Sequence, residues 1–312
     1  MNKATIKVLI AMLLWGSLGV FVKNISLDSV EIAFFRGIIG SVFLGIVLFI
    51  RMQNNKKLEQ ENDKLNNDFE DEDKKPSKKS IIILIISGMA IGLNWVFLFN
   101  SYNYITVANA TIVYYLAPVI VIFVSPIFLK EKLTLKKVLA VICAMIGLVL
   151  IVRTGQSSGN INLTQGIINA FLAACLYASV IILNKFIKNV DDYTKTFIQL
   201  FMASMVLLPW VIFRNNILFD STKSIILILI LGIAHTGIAY CLYFSAMKDL
   251  KAQSIAILGY IDPVSSVVFS IFLLREPFSI YQLIGGVIIL LSAVIAERNP
   301  KPKTIENGEI NL

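Results

Sequence analysis

The chain has 312 residues, 57% hydrophobic and only 15% charged, with a mean hydropathy of +0.77 and a net charge of +8. A soluble domain carries about 25% charged residues, so this balance excludes an ordinary soluble enzyme or scaffold and indicates an all-α, multi-pass membrane protein. The basic residues are spread through loops and tails rather than gathered into one patch, which argues against nucleic acid and for anionic headgroups as their neighbours.

In chain order, ten apolar stretches are predicted as membrane-spanning helices: 4–22, 31–50, 80–102, 106–129, 134–152, 165–187, 193–213, 224–247, 252–273 and 279–296. Each is close to the ~20 residues that cross about 30 Å of hydrocarbon, and runs this long enter lipid only when their backbone groups are satisfied within the segment. Lys3 and Lys7 before the first stretch imitate a secretory signal, but no small-residue cleavage site follows, so the first helix is expected to stay. Residues 51–79 hold eight acidic and eight basic side chains with almost nothing to bury. They are expected as a solvated, largely disordered loop, with room for a short helix around Lys56 to Lys64. Residues 298–312 read as a flexible tail. Cys143, Cys175 and Cys241 all fall inside apolar stretches, where they act as small hydrophobes rather than as a disulfide or metal framework. No cofactor or metal is expected.

Lys and Arg set the orientation. With the amino terminus in the cytoplasm, 22 of them lie on the inner side and five (Lys23, Arg153, Arg214, Lys223, Arg275) on the outer, Arg36 being inside a helix. Both termini are therefore expected in the cytoplasm of a plasma-membrane protein.

The chain repeats itself. At an offset of 145, Tyr115 falls on Tyr260, Pro118 on Pro263, Lys130 on Arg275, Glu131 on Glu276, Gly92 on Gly237 and Phe99 on Phe244. Upstream the offset is 163, pairing Phe34 with Phe197 and Ser41 with Ser204. The two expected halves are 1–153 and 161–297, five crossings each. An odd number of crossings turns the second half upside down, a plan in which secondary transporters hold substrate where the repeats meet.

Trp15-Gly16-Ser17, Arg36, the fourth-helix pattern Pro118…Lys130-Glu131 and its echo Pro263…Arg275-Glu276 together resemble the EamA-type members of the drug/metabolite transporter superfamily. The resemblance covers roughly 5–152 and 165–296 and implies a ten-helix carrier, often an exporter of amino acids, other small metabolites or drugs. The second half departs from the pattern: only Leu176-Tyr177-Ala178 stands near the place of Trp-Gly-Ser, and Gln199 stands where Arg36 would. Any family role at those positions transfers to the first half alone.

Polar residues at mid-depth are the candidate site. His235 and Asp262 lie near the midpoints of Ile226–Met247 and Ala252–Leu273, where an ionisable group costs about 2.5–3.5 kcal/mol on insertion scales. Their repeat counterparts are Ala90 and Ala117, so the polar pair belongs to one half. Asp262 is placed either to bind a substrate amine or to take up a proton, with His235 as its natural partner; the alternative is a buried pair that locks two helices. Pro118 and Pro263 are candidate helix breaks, since each removes a backbone donor. Arg36 has three open readings: snorkelling outward, binding a substrate carboxylate, or tying the second helix to a neighbour. Trp15, Trp95 and Tyr260 are candidate pocket walls, with Tyr114, Tyr115 and Tyr240 also available, against packing or interfacial anchoring. Asn94, with Asn100 and Asn109, offers hydrogen bonds either to substrate or between helices. Gly88 and Gly92 form a small-xxx-small pair suited to close packing. Glu131 and Glu276 stand at opposite membrane edges and are read as capping or gating groups.

The expected function is a secondary transporter working by alternating access, with a small-molecule substrate, the bilayer and, as an option, protons as partners. A monomer and a homodimer both fit. The alternatives are a passive channel, for which no ring of pore-lining polar residues is found, and a membrane-embedded enzyme, for which one histidine and no paired nucleophile and base leave little chemistry. A Gly-rich phosphate loop for ATP coupling is not found either. The topology is testable in intact cells with an impermeant thiol reagent. Cysteine replacing Ser221 should be labelled from outside and cysteine replacing Asn66 should not; the reverse pattern overturns the orientation.

Overall fold

Apolar runs become helices here because a helix alone satisfies its own backbone in lipid. The computed structural model describes residues 3–62, 76–128, 135–156, 162–213, 221–247, 250, 258–259 and 261–297. Among them every regular element is helical. These are α1 (Lys3–Lys23), α2 (Ser29–Asn62), α3 (Lys78–Ser101), α4 (Val107–Tyr114), α5 (Ala117–Phe128), α6 (Leu135–Gln156) and α7 (Leu163–Asn184). There follow α8 (Asp192–Phe213), α9 (Thr222–Ile230), a π-helical segment (Leu231–Ile238), α10 (Ala239–Met247), α11 (Ile261–Leu273) and α12 (Ile280–Glu297). Against the ten expected spans, seven helices among the described residues are long and apolar enough to cross a membrane, and Ile261–Leu273 and Leu283–Ser292 are shorter apolar helices. The chain is a multi-pass α-helical membrane protein.

Several helix starts follow from capping chemistry. The Asp28 N–H donates to Glu31 Oε2 at 3.1 Å and the Val30 N–H to Asp28 Oδ1 at 3.5 Å, so Glu31 serves the start of α2. Ser77, Thr106 and Ser221 accept from the N–H three residues on, opening α3, α4 and α9. The charged 51–79 stretch is more helical than expected. α2 continues through Arg51 to Asn62 because Met, Gln, Lys, Leu and Glu are good helix formers whatever their polarity. The rest of that loop, 63–75, and the tail from 298 lie outside the described residues.

The fourth stretch does not form one continuous helix. α4 ends at Tyr114, Tyr115 and Leu116 form a turn, and α5 starts at Ala117. Pro118 cannot donate to the carbonyl four residues back, at Tyr114, so the helix is interrupted where the sequence marked a break. Pro263 sits close to the start of α11, two residues after Ile261.

Packing reverses the pattern of a soluble protein. Phe213, Phe272 and Ile127 are 85%, 74% and 72% exposed, while Arg36, Asn94, Gln199, His235 and Thr236 are buried. Lipid tails are as apolar as leucine, so helix association rests on close contact and hydrogen bonds. α1 packs on α10, α11 and the π segment; α2 packs on α8, α3 and the π segment; α3 packs on α7 and α8, and α6 on α12. Gly88 and Gly92 lie directly on the backbone of α8. A β-carbon at Gly92 would stand 2.4 Å from the Ala203 carbonyl oxygen.

Gly92→Ala must therefore push α3 off α8, at a cost of about 1–3 kcal/mol. Its melting temperature in detergent is expected to fall by several degrees. Gly259→Ala, where nothing lies within 4 Å of an added β-carbon, should melt as the parent does. Equal melting of all three would contradict the close α3–α8 packing.

Candidate functional site

A cavity of about 530 Å³ lies between the helices, within the size range of small-molecule sites. Its wall takes Trp15 and Leu18 from α1, Arg36 from α2, Asn94 and Trp95 from α3, and Tyr114 from α4. Tyr240 and Tyr243 of α10 and Asp262 of α11 complete the middle. At one end the lining reaches Asn184, Asp192 and Lys195. Asp192 and Lys195 pair there at 2.7 Å.

Asp262 sits at the start of α11 with its carboxylate in the cavity. The Tyr115 hydroxyl, on the turn between α4 and α5, donates to Asp262 Oδ2 at 2.9 Å. The helix break before Pro118 thus presents a hydroxyl to the half-buried carboxylate. In sequence Tyr115 was the repeat partner of Tyr260 and an available pocket wall; its role on Asp262 depends on helices from distant parts of the chain meeting.

Arg36 is buried and does not snorkel. Its Nε donates to Thr236 Oγ1 at 2.8 Å, and its guanidinium carbon lies 4.3 Å from the centroid of the Trp95 ring, with Phe99 at 5.8 Å. Thr236 in turn donates to the Leu231 carbonyl at 3.0 Å, a five-residue reach belonging to the π segment. Arg36 therefore ties α2 to the π segment while lining the cavity. No ion pair joins Arg36 to Asp262, so the two opposite charges face the same space separately.

His235 is not the partner of Asp262. Its Nε2 is hydrogen-bonded to Ser17 Oγ at 3.0 Å, Nδ1 lies 3.4 Å from the Ile230 carbonyl, and Phe21 stacks edge-on with ring centroids 4.5 Å apart. The reason is the intervening helix. α11 packs on α1 and α4, the π segment on α1 and α2, so α1 stands between the two polar groups. The Trp15-Gly16-Ser17 run makes this junction. Trp15 Nε1 donates to the His235 carbonyl at 2.9 Å, and Ser17 meets the imidazole. At Gly16 a β-carbon would lie 2.8 Å from the Asp262 carbonyl oxygen and closer still to Ser265 Oγ, so only glycine admits this approach.

The remaining candidates divide. Trp15 and Trp95 line the cavity, Trp15 against Tyr240 and Tyr243 with centroids 5.2 and 5.4 Å apart. Asn94 also lines it, but its amide donates to the Ala173 carbonyl at 2.5 Å and its carbonyl accepts from Tyr114 at 3.4 Å, an inter-helix tie. Asn100 and Asn109 are not among the lining residues. Tyr260 and Glu131 lie outside the described residues. Glu276 is far from idle: Lys23 Nζ is 2.6 Å from Oε1, the Val107 N–H donates to Oε2 at 2.8 Å, and the Ser270 hydroxyl also donates to Oε2. Lys23 carried no signal beyond its charge.

A bundle of lipid-facing helices that keeps its charge around a half-enclosed central cavity is the build of a membrane transporter. The chain belongs to the EamA-like transporter family, whose sequence pattern matches residues 2–153 and again 164–297. It is 31% identical to YxxF of Bacillus subtilis (strain 168), described as an uncharacterized transporter, over 98% of this chain and 94% of that protein. It is 24% identical to YicL of Salmonella typhimurium (strain LT2), described as an uncharacterized inner membrane transporter, over 94% of this chain and 95% of that one. A solved crystal structure at 19% identity superposes with a TM-score of 0.61 over 94% of this chain and 96% of its own, so the fold is shared.

The Ser17–His235 contact is measurable as a coupling. In a double-mutant cycle of Ser17→Ala and His235→Phe, thermal unfolding should give an interaction term of about 0.5–1.5 kcal/mol. The cycle of His235→Phe with Asp262→Asn should give a term near zero. Coupling of His235 to Asp262 instead would contradict the arrangement of α1.

Proposed function

We propose that this chain is a secondary carrier exporting small amphipathic metabolites, amino acids and drug-like compounds among them, by alternating access between the halves 1–153 and 161–297. The observation that carries the reading is the cavity itself: Arg36 and Asp262, of opposite charge and not paired with each other, share one aromatic-walled space among lipid-facing helices. An intramembrane charge is expensive, and one kept beside a cavity belongs to a substrate or ion path by default. Arg36 keeps both terminal amino groups for a carboxylate once Nε is spent on Thr236. Asp262 is suited to a substrate amine or a proton.

Two further observations support a carrier built from inverted halves. The family pattern matches the chain twice, and Arg36 and its repeat counterpart Gln199, like Asp262 and its counterpart Ala117, line the same cavity. Helices of one half also pack chiefly on helices of the other, α1 on α10 and α11, and α3 on α7 and α8. A channel is the weaker reading because the cavity reaches Asp192 and Lys195 at one end while Lys23, Glu276 and the start of α4 join at the other.

The test starts from a ligand. A metabolite panel screened by thermal shift on purified protein should yield a compound that raises the melting temperature, because a ligand of the folded state stabilises it. In liposomes that compound should show saturable counterflow. Asp262→Asn keeps size and removes the charge. It should reach the membrane at normal abundance and lose concentrative transport at least tenfold, with Asp262→Glu retaining part. Normal accumulation by Asp262→Asn removes Asp262 from the mechanism, and unsaturable flux by the parent chain removes the carrier.

A further inference from the structure

We infer that Glu276 is the latch that closes the cavity on the side of Lys23 and the start of α4, and that its release opens that side. The inference rests on the alternating-access reading and deepens it by naming the closing contact.

Glu276 follows Arg275, whose backbone takes φ 54°, in the left-handed region that a non-glycine residue rarely occupies. That turn directs the carboxylate back over the helix end instead of away from it, and the Glu276 N–H donates to the Ser270 carbonyl at 3.2 Å. The side chain is 9% exposed and both oxygens are used. Oε1 pairs with Lys23 Nζ at 2.6 Å, at the last residue of α1. Oε2 accepts from the Val107 N–H at 2.8 Å, at the first residue of α4, and from Ser270 of α11. One carboxylate thus joins α11 of the second half to two helices of the first. It does so with a charge pair, a charged helix cap and the favourable N-terminal end of a helix dipole.

The place of this junction matters as much as its chemistry. α1, α4 and α11 are the helices that bring Trp15, Leu18, Thr111, Asp262 and Ser266 to the cavity. Thr111 and Ser266 are hydrogen-bonded at 2.9 Å between the latch and the Tyr115–Asp262 contact. Parting α11 from α1 and α4 would therefore uncover Asp262 from the Glu276 side. At the other end the wall is already at the surface, with the Asp192 side chain 47% exposed. On the Glu276 side the latch and the Thr111–Ser266 bond join α1, α4 and α11 instead.

The test is accessibility from that side. In a chain whose Cys143, Cys175 and Cys241 are replaced by Ala, Leu18→Cys puts a thiol in the wall of the cavity. An impermeant charged methanethiosulfonate is added to the face carrying Lys23 and Glu276, and labelling rates are compared with and without Glu276→Gln. Glu276→Gln should raise the rate roughly tenfold, the factor that about 1.4 kcal/mol makes in an equilibrium. Lys23→Gln, which leaves the cap on Val107 in place, should raise it less. An unchanged rate in Glu276→Gln with an unchanged melting temperature overturns the latch. Should Glu276→Gln melt early, Lys23→Gln decides, and an unchanged rate there overturns it equally. Counterflow by the same variants separates the two readings: flat labelling with intact counterflow sinks the latch alone, and flat labelling in a chain without counterflow sinks alternating access as well.

Discussion

Between Gly16 of α1 and the carbonyl of Asp262 on α11 there is no room for a β-carbon, and much of the site follows from that contact. In hydrocarbon no water drives helices together, so backbone proximity has to supply the attraction through dispersion and hydrogen bonds. With α1 seated on α11, Trp15 and Leu18 become cavity wall on one side of the helix, and Ser17 and Phe21 meet His235 on another. The short Trp-Gly-Ser run is thus a joint between the halves in which each residue has a separate task.

The π segment is the second half of the joint. Its neighbouring residues His235 and Thr236 serve different helices, the imidazole going to α1 and the hydroxyl to α2. A π turn lengthens the backbone reach to five residues, and Thr236 uses it to return its own proton to the Leu231 carbonyl while accepting from Arg36. A buried guanidinium without such a partner would be costly in lipid. Trp95 below its face adds a cation–π contact. Arg36 is therefore held in one orientation by groups from two other helices, with its outer nitrogens left for the cavity.

The two halves contribute unequally to that cavity. Where α2 supplies Arg36, the corresponding position in α8 supplies Gln199, bonded to Ser87 at 2.7 Å and Asn184 at 2.6 Å. Where α11 supplies Asp262, α5 supplies Ala117. The repeated architecture builds the space, and single charges placed in one half or the other give it polarity.

Long apolar runs, a low charge content and capping residues such as Ser77 and Thr106 made the helices readable from sequence, because each depends on chemistry within a few residues. Pro118 marked the break between α4 and α5 for the same local reason. That Arg36, His235 and Asp262 belong to apolar stretches was readable too, since this is counted along one segment. What each of them touches was not. His235 and Asp262 lie on neighbouring apolar stretches, yet α1, from the far end of the chain, lies between them and gives the imidazole to Ser17 and leaves the carboxylate to Tyr115. Lys23 and the Val107 N–H acquire meaning only once Glu276 arrives from the other half. Helicity is a property of a segment in lipid and could be read one segment at a time; partnership is decided by which helices lie side by side, and only the tertiary structure holds that.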